Sequence, residues 1–136
     1  MEDVSPQEKA FLESHGWYSH FVFSRDDRHR WVNYHTHGLP EHYGHLDFQF
    51  VLPLEVDELH ALASTLVDRV KKGERFVAGM RVGGLIKKHD VLLIQTTEAP
   101  STPRSVLRII LPDKDGNLDR ATLKGIFAEQ FQELPD

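Results

Sequence analysis

The stretch Leu46–Gly73, LDFQFVLPLEVDELHALASTLVDRVKKG, decides the fold. Its start alternates apolar and polar, with Leu46, Phe48 and Phe50 on one side, which predicts a half-buried strand over Leu46–Leu52. After Pro53 the period lengthens. From Glu55 to Lys72, Val56, Leu59, Leu62, Ala63, Leu66, Val67 and Val70 recur at helical spacing. Acids (Glu55, Asp57, Glu58) open this helix and bases (Arg69, Lys71, Lys72) end it, matching the helix dipole, and Gly73 closes it. A strand feeding a long one-sided helix implies a sheet with a helix laid across it.

Outward from this unit the chain supplies more strands than helices. Ser5, Pro6 and Glu8 form a capping box with proline in the first turn, so a short helix starts there, anchored by Phe11 and Leu12 and stopped by Gly16. Trp17–Ser24 and Arg30–His37 read as a hairpin joined by the charged turn Arg25–Arg28. Core packing is the default role of Trp17 and Trp31. Gly38–Gly44 holds two glycines and a proline and reads as a loop. Downstream, Phe76–Val82 is a candidate strand before a Gly83-Gly84 bend, and Asp90–Thr96 and Ser105–Leu111 are short apolar runs of buried-strand type. The segment between those two runs, Glu98–Arg104, carries two prolines and reads as a loop, and Asp113–Asn117 as a turn. Leu123, Ile126, Phe127 and Phe131 mark an apolar stripe on a C-terminal helix. The expectation is one α+β domain spanning 1–136. Its mostly antiparallel sheet packs against one long helix, with shorter N- and C-terminal helices.

Composition narrows the function classes. With 136 residues, 40% hydrophobic and 27% charged, the chain has the makeup of a folded domain able to bury about two thirds of its unfolded surface. It contains no cysteine, which excludes disulfides, thiolate metal sites and cysteine nucleophiles, and suits a reducing, cytoplasmic location. A net charge of −5 argues against nucleic-acid binding, which draws on counterion release at a basic face. No window nears the roughly 18 apolar residues of a membrane span, and the acidic, polar N-terminus is not a secretory signal.

Chemistry concentrates in YHTHGLPEHYGHLD, Tyr34–Asp47, where His35, His37, His42 and His45 account for four of the nine histidines. On a strand, His35 and His37 share a face and can chelate one transition metal such as zinc. His42 or His45 would add a third ligand, with Glu41 or Asp47 as a fourth, and three nitrogens with an open position suit catalysis. Metal-free acid–base chemistry by Tyr34, His35, His37 and Glu41 is the alternative, although no nucleophile stands in a recognisable context. The bland reading keeps these imidazoles as hydrogen-bonding groups at a strand end, since no HExxH motif is present. Asp113–Gly116 fails as a calcium loop, because Leu111 and Thr122 stand where carboxylates are required. Gly83-Gly84 lacks the flanking residues of a phosphate loop.

The order of several short motifs resembles a known family. HGW (His15–Trp17) follows a short helix, HGL (His37–Leu39) ends a strand, and Gly44-His45 precedes an apolar strand. GERF (Gly73–Phe76) ends the long helix, and LRIILPDKDGNL (Leu107–Leu118) is a strand with a Pro-Asp-x-Asp-Gly turn. Together they resemble the bacterial family called domain of unknown function 4262, over about residues 8–118. Thr36–Leu39 looks like its Thr-x-Gly-Leu motif and Gly44-His45 like its Gly-His pair. Leu46-Asp47 replaces the Pro-Glu that commonly follows, and His35 and His37 fall where an aromatic and an apolar residue are more usual. The C-terminal segment Arg120–Phe131 lies outside the resemblance. What the family implies is a small bacterial protein without an assigned activity. With no complete catalytic motif in the chain, the expected role is a non-catalytic binding or interaction module that meets a protein partner or a second copy of itself. The alternatives are a metal-dependent, hydrolase-like enzyme using His35, His37 and His45, and a toxin-immunity-like protein acting by charge complementarity.

Overall fold

A computed structural model describes residues 5–23 and 32–134. The turn expected at Arg25–Arg28, together with Ser24, Arg30 and Trp31, lies outside the described residues. The elements run α1 (Pro6–His15), β1 (Tyr18–Phe23), β2 (Val32–His37), α2 (Leu39–Tyr43), β3 (Asp47–Phe50), α3 (Val56–Lys71), β4 (Arg81–Val82), β5 (Val91–Ala99), β6 (Thr102–Ile110) and α4 (Ile126–Glu129). The strands form a six-stranded sheet in the order β1-β2-β3-β6-β5-β4, antiparallel except for the β3–β6 pair. This is the α+β architecture the sequence predicts. Among the described residues no helix is long and apolar enough to cross a membrane.

Alternation and register divide the sheet into two faces. On one lie Tyr34, Phe48, Phe50, Leu93, Leu107 and Ile109. They pack with Leu59, Ala63, Leu66, Val67 and Val70 of α3 in a single apolar cluster. Each large side chain removed from water there contributes roughly 1.5–3 kcal/mol. On the other face, Leu92, Ile94 and Ile110 are covered by Leu118, Leu123, Phe127 and Phe131 of the C-terminal segment. The rest of that second face carries Tyr18, His20 and Val22 of β1, Asn33, His35 and His37 of β2, and Asp47 and Gln49 of β3.

Local signals explain most boundaries. Ser5 accepts from the Glu8 amide while Glu8 reaches back to the Ser5 amide, and Gly16 ends α1 in the left-handed region. The Gly38–Gly44 segment, expected as a loop, is the short helix α2. Pro40 in its first turn suits helix entry, and the flanking glycines supply the caps. Only Gly38 fits at its position: φ is +105°, and an added Cβ would lie 2.9 Å from the Gly16 carbonyl oxygen.

Four further expectations are corrected. β3 is buried on both sides, not half-buried, because Asp47 and Gln49 face a covered polar layer. The Phe76–Val82 strand shrinks to Arg81–Val82. The expected C-terminal helix is reduced to the single turn α4. Its residues serve as a cover, held by Gln130, whose amide bonds both backbone groups of Leu111. Finally, Glu98–Arg104 is not a loop. β5 and β6 run to Ala99 and Thr102, forming a tight hairpin with a register shift between Thr97 and Ala99.

Candidate functional site

The β1–β2 ladder places the key side chains. His20 lies opposite His35 and Tyr18 opposite His37, so three imidazoles share the second face at the sheet edge. One potential ligand atom from each of His20, His35 and His37 lies within 4.8 Å of the other two. Their ring centroids are 4.9–5.7 Å apart at steep angles, so the rings meet edge to face rather than stacked. A point equidistant from three atoms so spaced lies at most about 2.8 Å from each, against roughly 2.0–2.1 Å for a zinc–imidazole bond. Side-chain movement of about 0.7 Å closes that gap.

The surroundings orient these rings. His35 is buried, and its Nδ1–H donates to Asn33 Oδ1 at 2.9 Å. Its Nε2 then faces Glu98 Oε1 at 3.4 Å. A ring nitrogen and a carboxylate oxygen facing each other attract only through a shared cation, either a proton or a metal ion. Tetrahedral zinc ligands are spaced by about 3.3 Å, given the usual bond lengths, so the separation suits either. His20 Nε2 meets Glu8 Oε2, and this carboxylate therefore serves the α1 cap with one oxygen and the imidazole with the other. A carboxylate behind an imidazole fixes the orientation of the ring.

Behind the histidines runs a buried polar chain. Arg104 donates from Nε to Glu98 (2.7 Å), from Nη1 to Asp47 Oδ2 (2.6 Å) and from Nη2 to the Thr36 carbonyl (2.8 Å). Burial would lower its pKa, but the Asp47 and Glu98 carboxylates outweigh that and hold it above the ordinary guanidinium value. Asp47 also accepts from the Thr36 hydroxyl and the Leu39 amide, yet burial prevails and pushes its carboxyl above the usual range. Gln49 donates to Asn33 Oδ1 and the Glu98 carbonyl and accepts from Arg108 Nε. Arg108, lowered by burial to about 10, also donates to the carbonyls of Gln130 and Gln132, tying the C-terminal cover to the sheet. Among the described residues no buried side-chain nitrogen or oxygen lacks a hydrogen-bond partner.

The residues singled out in the sequence fall into three groups. His35 and His37 converge. His37, Glu41, His42 and Asp47 line one cavity of about 250 Å³, together with Tyr18 and Arg104. His45 and Tyr34 lie elsewhere. His45 donates from Nδ1 to the Leu46 carbonyl and accepts from the Phe76 amide at Nε2, so both ring nitrogens serve the backbone. Tyr34 points to the α3 face, bonds His60 Nδ1 at 2.9 Å, and is pushed up to about 12 by burial. The sequence reading missed His20, Glu98 and Arg104. His20 sits in the predicted strand Trp17–Ser24, and pairing that strand with His35 across the hairpin was the available signal. Glu98 and Arg104 were hidden by the prolines that made their hairpin read as a loop.

The family model described as Domain of unknown function (DUF4262) matches residues 12–119, and the chain belongs to that family. No curated protein and no solved structure matches it. The matched span includes the three histidines, Glu98 and Arg104, but not Glu8.

Proposed function

We propose that this protein binds one divalent transition-metal ion through His20, His35 and His37, with Glu98 as the adjacent oxygen donor. The observation that carries this reading is the convergence of three imidazoles around one point, beside a buried carboxylate that faces His35 Nε2. Imidazole with carboxylate suits zinc, iron and neighbouring ions. The fixed charges agree. Glu8, Glu98 and Asp47 outnumber Arg104 around the histidines, so a cation is favoured there.

Cobalt(II) titration of untagged protein tests it. The expected result is a visible absorption band saturating at one ion per chain, abolished in His20→Gln and His37→Gln with unchanged melting temperatures. Absence of saturable binding by the wild type, or retention in both variants, overturns the proposal.

A protein-interaction role draws on a different feature. β1 is an edge strand whose Val22 and Phe23 are 44% and 50% exposed. Light scattering of the wild type and Phe23→Asp would show a self-associated species lost in the variant. A monomer at all concentrations would leave that role without its second-copy form.

A further inference from the structure

We infer that the cavity beside the histidines is an oxyanion subsite, taking a carboxylate or phosphoryl group that bridges the metal ion and Arg104. This rests on the metal reading above. His37 belongs to both structures: it is one of the three convergent imidazoles and part of the cavity wall. An ion held by His37 therefore borders the cavity, and with Glu98 as the fourth donor an oxyanion would enter from the cavity as a fifth ligand.

Arg104 supplies the second anchor. Its side chain is 27% exposed and lines the same cavity. Among the described residues, three of its five N–H groups are used, by Glu98, Asp47 and the Thr36 carbonyl. The remaining two can meet a bidentate oxyanion. Glu98 Oε1 joins the guanidinium to the histidine cluster, 2.7 Å from Arg104 Nε and 3.4 Å from His35 Nε2.

Charge makes the subsite conditional. Without an ion, Arg104 is outnumbered by Asp47 and Glu98, and Glu41 adds negative charge at the cavity wall, so an anion is repelled. A dication on the histidines cancels two of those negative charges and so removes most of the repulsion around Arg104. Anion and metal therefore bind with positive, reciprocal coupling.

The test uses the full untagged chain with and without saturating cobalt, titrated with acetate and with methylphosphonate by calorimetry and visible absorption. Expected is anion binding at least tenfold tighter to the cobalt form, with a shift of the cobalt band. At saturating cobalt, Arg104→Lys should lose at least tenfold in anion affinity, and Glu41→Gln should gain about twofold. Preference for acetate assigns a carboxylate ligand, and preference for methylphosphonate a phosphoryl one. Cobalt uptake with no response to either anion, or equal affinity with and without cobalt, overturns the subsite alone. Failure to take up cobalt overturns both proposals. Should Arg104→Lys not fold, the wild-type comparison decides.

Discussion

The two faces of the sheet use the same strands for opposite ends. Under α3, Phe48 and Phe50 project into an apolar layer that needs only shape and volume. Asp47 and Gln49, their immediate neighbours, project the other way into a hydrogen-bonded layer with His35, Glu98, Arg104 and Arg108. Burying ions and amides costs desolvation that hydrophobic residues of similar volume would avoid. The first face stabilises the domain, and the second gives up part of that stability to hold a buried polar constellation around the histidines. That contrast is the physical reason for placing function on the second face.

The largest effect should come from the apolar side. Phe48→Ala, at a fully buried position, should cost about 3–5 kcal/mol in urea unfolding. A loss under 1 kcal/mol would mean that face is not the main source of stability. Next comes Asp47→Asn, which turns an amide N–H toward Arg104 Nη1 and leaves a half-buried guanidinium short of an acceptor. About 2–3 kcal/mol is expected.

That variant also carries a pH signature. Because the folded-state pKa of Asp47 is raised, the native protein holds a proton the unfolded chain has released, in a window that starts near the ordinary value of 3.8. The contribution of this group to stability is full below that window and is lost as pH rises through the folded-state pKa. The difference in unfolding free energy between wild type and Asp47→Asn should change with that sign. A flat difference across the window would refute it.

His45→Ala sharpens the contrast by removing an imidazole of the purely structural kind. It leaves the Phe76 amide without its partner and should cost about 1–3 kcal/mol, with cobalt stoichiometry unchanged. Loss of cobalt binding there would redraw the site. The smallest effect on stability belongs to Glu8→Gln. The amide oxygen can still accept from the Ser5 amide, so unfolding should shift by under about 1 kcal/mol, while cobalt affinity falls roughly tenfold through a less well-held His20.

Legibility in the sequence followed the same division. The apolar face could be read because periodicity reports burial directly: α3 and the alternation of β3 are both where the pattern places them. Polar residues carry no such signature. Asp47 and Gln49 looked like the wet side of a strand, since nothing in the local pattern shows that Arg104 and Arg108 of β6 reach across to them. His35 and His37 could be paired because the strand period is two. His20 required a cross-strand register, which the hairpin turn fixes and local pattern does not. His45 entered the candidate list by proximity in sequence, but the two backbone groups that occupy its nitrogens were invisible there.

Glu8 joins two events that would otherwise be independent. Helix α1 buries none of its residues completely, so its hold on the sheet depends on a handful of contacts, among them that of Glu8 with His20. Whatever pulls His20 inward pulls on the same carboxylate that starts the helix. An ion held by His20 would thereby be felt in the first turn of α1, which would make that turn a gauge of the proposed site.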